Sequence, residues 1–323
     1  MNKNILITGA AGFIGFHLSE FFLKKKYTVY GIDIITSNYD ISLKKKRLKF
    51  LNNYKNFKFH KIDICQKKNL FQISNINFHS IFHLAGQPGV LQSMKDPNLY
   101  YRRNIIGFQH ILDIAIKKNS NFFYASSSSV YGNQNKNELY EDMTPNPNSI
   151  YGLTKEFNEK IVLILAKGII NAYGLRFFTV YGPLGRPDMA IFKFTKNLYN
   201  KKKIILRNNG EFYRDFTYID DVVKAIYKIY EASKKNKKIK ETKVFNIGFG
   251  RPIKINDLIK KLEKITGIKG KIEKEIGSSN EVLITNSSSK KLFRNIPKFQ
   301  ITTIEKGLNK FVNWYKEYSK DNS

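Results

Sequence analysis

The chain has 323 residues, 42% of them hydrophobic and 25% charged, with 56 lysines and arginines against 26 acidic residues. That length can bury a sizeable core in one large α/β unit or two coupled domains, and no stretch nears the ~20 apolar residues of a membrane span. The formal charge of +30 is dispersed in short runs at 24–26, 44–47, 201–203 and 234–240, none interleaved with aromatics as in nucleic-acid modules.

A coding bias toward Lys, Asn and Ile accounts for that spread and argues against a nucleic-acid partner, although a positive potential still favours an anionic ligand. The one cysteine, Cys65, allows neither an internal disulfide nor a thiol metal site, so no metal is expected. Met1-Asn2-Lys3-Asn4 runs straight into Ile5-Leu6-Ile7 with no signal-peptide pattern, and the expected location is the cytoplasm.

In chain order, apolar runs predict strands at 5–8, 28–32, 57–61, 80–83, 121–126 and 170–176. Amphipathic stretches between them predict helices at 14–25, 42–51, 66–73, 101–118 and 151–167. This alternation implies a Rossmann-like doubly wound parallel sheet of the α/β class, with its ligand at the carboxyl ends of the strands. After Arg176 the rhythm breaks into loops at Tyr181-Gly182-Pro183, Arg186-Pro187-Asp188 and Asn208-Asn209-Gly210. Helices resume at 190–200, 220–233, 255–266 and 304–318, and 234–243 reads as a solvated helix end and loop. Residues 1–175, with a segment returning near 214–247, are expected to form the dinucleotide domain. Residues 176–213 and 248–323 are expected to form a smaller α/β substrate domain.

Thr8-Gly9-Ala10-Ala11-Gly12-Phe13-Ile14-Gly15 joins the first strand to the first helix. Glycines at 9, 12 and 15 permit a tight turn, close approach of a pyrophosphate and packing of the helix on the strand. Asp33, ending the second strand, suits a carboxylate that bonds the adenosine ribose and repels a 2′-phosphate, so NAD is expected over NADP. Asp63-Ile64 follows the third strand, where a side chain and a backbone group could hold the adenine. Tyr151 and Lys155 lie one helical turn apart on one face. The nearby ammonium should stabilise the phenolate of Tyr151, which could then take a proton from a sugar hydroxyl.

The Gly-x-x-Gly-x-x-Gly loop with Tyr-x-x-x-Lys resembles the extended short-chain dehydrogenase/reductase family, from residue 4 to about residue 320. His83-Leu84-Ala85-Gly86 resembles the family segment beneath the cofactor, which implies contacts from Leu84 and Ala85. Asn104-Ile105-Ile106-Gly107 resembles its first interface helix, and Asn104 is carried over as a cofactor contact. By the same resemblance Ser127 is the catalytic Ser/Thr, and Ser128 and Ser129 face the substrate. Related 4,6-dehydratases and decarboxylases carry carboxylates just after that Ser/Thr; here there are none, which leaves 4-epimerisation.

The segments 176–196 and 214–221 are similar to those of UDP-glucuronate 4-epimerases. The resemblance implies substrate contacts from Thr179, from Arg186 to the sugar carboxylate, from Arg214 to the UDP phosphates and from the Ala190–Phe192 backbone to uracil. An arginine suits a carboxylate because its planar fork can bind both oxygens. Two departures stand: Leu91 where those enzymes carry Arg, and Ser278-Ser279-Asn280-Glu281-Val282 where they carry Pro-Gly-Asp-Val. A neutral UDP-hexose or UDP-N-acetylhexosamine substrate therefore stays open, as does a non-catalytic NAD-binding regulator. Excess apolar positions on helices 101–118 and 151–167, and the pairing of such helices in relatives, imply a homodimer through a four-helix bundle.

Overall fold

Six strands make up the amino-terminal half: β1 (Asn4–Thr8), β2 (Thr28–Asp33), β3 (Phe57–Lys61), β4 (Ser80–His83), β5 (Asn121–Ser127) and β6 (Ala172–Phe177). Successive side chains leave a strand on opposite faces, so Ile5 and Ile7 enter one core while Leu6 enters another. Val29, Phe82 and Phe123 join the first core; Tyr30, Ile81, Phe122 and Tyr124 join the second. Strands buried on both faces need helices on both sides. The computed structural model describes residues 3–37, 39–134, 136–234, 240–275 and 282–320.

Helices α1 (Phe13–Lys24) and α2 (Ile41–Asn52) cover the first face. Then come α3 (Val90–Lys95), α4 (Pro97–Tyr100), α5 (Gly107–Lys117) and α6 (Ile150–Leu165), of which α5 and α6 cover the second. The carboxyl-terminal half adds α7 (Ala190–Tyr199), α8 (Ile219–Ser233), α9 (Ile255–Thr266), α10 (Lys290–Asn295) and α11 (Ile304–Lys320). Its strands are β7 (Thr179–Tyr181), β8 (Lys203–Arg207), β9 (Tyr213–Tyr218), β10 (Thr242–Ile247), β11 (Pro252–Lys254) and β12 (Lys271–Glu275).

The large sheet runs β3-β2-β1-β4-β5-β6-β10, and every pairing in it is parallel. Strand order reverses between β1 and β4, which opens a crevice at their carboxyl ends. β9 pairs parallel with β7 and antiparallel with β11, and β8 pairs parallel with β12.

Several expectations need correction. Residues 66–73 form a 3-10 helix at Lys67–Ile73, and 101–118 begins as a π-turn at Tyr101–Ile106 before α5. Tyr101–Ile106 directly continues α4, whose first residue is Pro97, and the wider turn re-phases the chain before α5. None of β7 to β12 was expected. Most are short, and β12 is exposed along its whole length, so its register with β8, rather than an apolar face, defines it. Of the lysine-rich stretch, 235–239 lie outside the described residues, as do Ser278 to Glu281. Among the described residues no helix is long and apolar enough to cross a membrane, and no group of three or more His, Cys, Asp or Glu could hold a metal ion.

Candidate active site

A cavity of about 1620 Å³ opens over the carboxyl ends of the large sheet. Gly9, Gly12, Phe13, Ile14 and Gly15 form its floor beside Leu84 and Ala85. Gly9 sits at φ 72°, and a Cβ there would lie 2.8 Å from the Ala85 nitrogen, so only glycine lets β1 and β4 meet so closely. The Thr8 hydroxyl ties the same corner together, accepting from Ala85 N at 3.0 Å and hydrogen-bonding with His83 Nδ1 at 2.9 Å. Burial pushes the His83 imidazole down to about 3, so it stays neutral.

The first turn of α1 faces this cavity with no side-chain cap and no acidic residue, leaving its N–H groups for an anion. Asp33 lies at the wall, accepting from Ala11 N at 3.1 Å and Ile35 N at 2.8 Å. Asp63 and Ile64 also line the cavity; Asp63 accepts from Cys65 N at 2.9 Å and pairs with Arg102 at 3.3 Å. A bare helix start, a glycine floor and a fixed carboxylate fit a dinucleotide.

Ser149 caps α6 by accepting from Gly152 N at 3.1 Å, and Tyr151 N donates to Ser93 Oγ at 3.1 Å. Gly152 lets this turn abut the serine tract, since a Cβ there would lie 2.5 Å from Ser129 O. Tyr151, Lys155, Ser127, Ser128 and Ser129 all reach the cavity. Ser127 Oγ accepts from Ser129 N at 3.1 Å. Burial raises the Tyr151 phenol above its usual range, opposed by a hydrogen bond with Ser127 and by the charge of Arg186.

Lys155 lies beside Tyr151 on the cavity floor. Its ammonium donates to Ala125 O at 2.9 Å and stands 5.8 Å from the centre of the Tyr151 ring; burial pushes it down to about 8. A further cation, Arg186 from the other half of the chain, lines the same cavity, and its charge lowers the phenol.

Thr179, Arg186, Ala190 and Arg214 line the opposite wall. Arg186 is paired with Asp188, Nε to Oδ1 at 3.0 Å and Nη2 to Oδ2 at 2.5 Å. Arg214 donates to the carbonyls of Tyr213 and Leu283 at 2.9 and 3.2 Å and lies over the Phe212 ring.

Two expected residues are not on the wall. Phe192 is buried, its ring packed against Phe311, Trp314, Tyr315 and Tyr318, so only its backbone remains for a ligand. Asn104 is also buried. Its Oδ1 accepts from Gln87 N at 2.7 Å, while its Nδ2 donates to Gln87 O at 3.0 Å and Thr154 Oγ1 at 3.2 Å. Asn104 thus braces the Gly86–Gln87 turn against α6 from behind the cavity.

Sequence reasoning missed Tyr39, Lys44 and Arg103, which line the cavity, and Arg47 beside them. Arg103 Nη1 donates to Gln87 Oε1 at 2.6 Å. Lys44 Nζ donates to the carbonyl and hydroxyl of Thr36, and burial pushes it down to about 8. A signal existed: Lys44, Arg47, Leu48 and Leu51 fall at i, i+3, i+4 and i+7, so two cations share the apolar stripe of α2. Lysines and arginines on the wall outnumber its carboxylates, Asp33, Asp63, Asp188 and Glu275, as suits an anionic ligand.

The fold and this site define an enzyme of the short-chain dehydrogenase/reductase class. The chain belongs to the NAD-dependent epimerase/dehydratase family, whose model matches residues 5–248. It is 39% identical to Protein CapI of Staphylococcus aureus, over 98% of this chain and 99% of that one. It is 38% identical to a UDP-glucuronate 4-epimerase of Thermodesulfobacterium geofontis, over 97% and 96%. Among solved structures, UDP-glucuronic acid 4-epimerase of Bacillus cereus, in complex with UDP-glucuronic acid and NAD, matches with a TM-score of 0.88. That pair is 33% identical and covers 98% of this chain and 99% of the other.

Proposed function

We propose that this protein interconverts UDP-glucuronate and UDP-galacturonate at C4, with NAD bound throughout. The observation that carries the reading is the convergence of Ser127, Tyr151 and Arg186 in one cavity, a proton-handling pair beside a carboxylate-binding cation. The glycine loop at Gly9, Gly12 and Gly15, with Asp33, would hold NAD, which would supply hydride chemistry at the sugar's C4. Tyr151 removes the O4 proton and later restores it, with Ser127 holding the same hydroxyl. Lys155, anchored on Ala125 O, keeps a positive charge at the floor. Between the two transfers the 4-keto sugar turns over about its phosphate tether.

Asp188 occupies Nε and one Nη2 proton of Arg186, which leaves the Nη1–Nη2 edge for the sugar carboxylate. The 4-ketone makes C6 a β-keto acid, and loss of carbon dioxide needs the C5–C6 bond aligned with the carbonyl π system. By holding the carboxylate in the ring plane, Arg186 disfavours that loss. Arg214 serves the UDP phosphates, Thr179 the sugar and the Ala190–Phe192 backbone the uracil. Leu91, exposed on α3 at the cavity mouth, leaves the grip on the acid to Arg186.

Residues 1–175 with 214–247 would form the dinucleotide domain, and 176–213 with 248–323 the sugar domain. The protein would work in the cytoplasm as a homodimer and supply polysaccharide biosynthesis. Leu153, Phe157 and Ile164 leave an exposed apolar stripe along α6, and Ile106 is exposed just before α5, which supports an isologous four-helix contact. The catalytic reading is tested by Tyr151→Phe: bound NAD should remain while turnover falls on the order of 10²–10⁴-fold. Near-normal turnover would remove Tyr151 from the mechanism.

A further inference from the structure

Arg47, on α2, is fully buried, and among the described residues its partners are all neutral oxygens. Nε and Nη2 donate to Leu184 O at 3.2 and 2.6 Å, and Nη2 donates also to Gly185 O at 3.3 Å. Nη1 donates to Ala11 O at 2.9 Å and to the Tyr39 hydroxyl at 2.7 Å. All five N–H groups are thereby used. A buried cation is costly unless its surroundings compensate, so this one is retained against a penalty.

The partners belong to three separate segments. Ala11 lies in the glycine loop, Tyr39 in the loop after β2, and Leu184 and Gly185 immediately precede Arg186. His17 adds a fourth tie, with Nε2 2.9 Å from Pro183 O, so three consecutive carbonyls are held from α1 and α2. Leu184 sits at φ 56°, a left-handed conformation that strains a non-glycine residue and needs outside support. Arg47 supplies that support at the carbonyl of the strained residue itself. A lysine could not span the three segments, because its single nitrogen lacks the planar fork.

We propose that Arg47 is a positioning residue that locks the Arg186 loop to the glycine loop and thereby sets the preference for an acid sugar over a neutral one. This rests on the role given to Arg186 above. A displacement of the glycine loop passes through Ala11 O and Arg47 to the backbone just before Arg186. The grip on the sugar carboxylate therefore depends on the seating of the dinucleotide.

The test uses full-length Arg47→Lys and Arg47→Met proteins as purified, with bound NAD measured for each. Calorimetric titrations with UDP-glucuronate and UDP-glucose give the ratio of affinities, and amide hydrogen exchange reports on residues 184–188. The ratio should fall by about tenfold or more as the loop's hydrogen bonds are lost, most in Arg47→Met, with exchange faster in 184–188. Tyr39→Phe removes one acceptor without emptying volume; it should move the ratio about two- to fivefold the same way and serves if the Arg47 variants fold poorly. Unchanged exchange in 184–188 would overturn the locking. Faster exchange with an unchanged ratio, in a protein that otherwise prefers UDP-glucuronate, would overturn the link to specificity. If the unmutated protein binds both sugars equally, the substrate reading fails instead, and the exchange data still decide whether Arg47 holds the loop.

Discussion

Arg186 and Asp188 meet side-on at the cavity wall, with Nε 3.0 Å from Oδ1 and Nη2 2.5 Å from Oδ2. The carboxylate is held below its usual range by this pairing although burial pushes the other way, so it stays charged and fixes the plane of the guanidinium. Arg186→His should therefore lower kcat/KM for UDP-glucuronate by about 2–5 kcal/mol, the cost of removing one partner of a buried charge contact. UDP-glucose turnover should change far less. Some turnovers should also end in carbon dioxide, a 4-keto-pentose and stranded NADH, followed by absorbance and carbon dioxide release. Equal losses for both sugars would mean that Arg186 serves the loop or the Tyr151 phenol and not the carboxylate.

Lys155, pushed down to about 8 by burial, is charged below that pH and loses its charge as pH rises through it. If the ammonium supports catalysis, the pH profile of kcat should fall on its alkaline side. Lys155→Arg, which cannot deprotonate, should have a lower maximum and no such limb. A limb that persists in that variant would assign it to another group.

The glycine loop, Asp33 and the Tyr151/Lys155 pair were legible in the sequence because each depends on local spacing within one strand–turn–helix or one helix turn. The first six strands were legible for a similar reason, being apolar runs of a doubly covered sheet. What stayed hidden depends on contacts far apart in the chain. Arg186 acts on Tyr151 across 35 residues of sequence, and Arg47 reaches Leu184 across 137. Asn104 was legible as a motif residue, but its side chain faces Gln87 and Thr154 rather than the cavity. β12 was invisible because it carries no buried side chain and exists only by pairing with β8.

His83, held neutral down to about 3, takes up a proton near pH 6.5 once unfolded. The unfolded chain then binds more protons, and stability is lost as pH falls below 6.5 toward 3. His83→Gln should cost about 1–3 kcal/mol at pH 7 by disturbing the Thr8 hydrogen bond. Its loss of stability between pH 6 and 4.5 should be shallower by about 1.4 kcal/mol per pH unit, one proton's worth. Urea unfolding across that range reads both effects, and parallel slopes would show that His83 is not buried neutral.

Phe157 is 42% exposed on α6, between Leu153 and Ile164 on the same stripe. In the proposed dimer that face is covered, and Phe157→Asp should bury a charge against apolar neighbours. Light scattering at micromolar concentration should then change from dimer to monomer with the far-ultraviolet spectrum intact. An unmutated protein that is already monomeric there would remove the four-helix contact.

The most direct measurement is proton NMR of the purified protein with UDP-glucuronate in deuterated water. Transient oxidation at C4 predicts a mixture with UDP-galacturonate in which the C4 hydrogen is retained, with no net change in bound NAD. Epimerisation of UDP-glucose with UDP-glucuronate left untouched would contradict the substrate, and deuterium entering at C4 would contradict the chemistry.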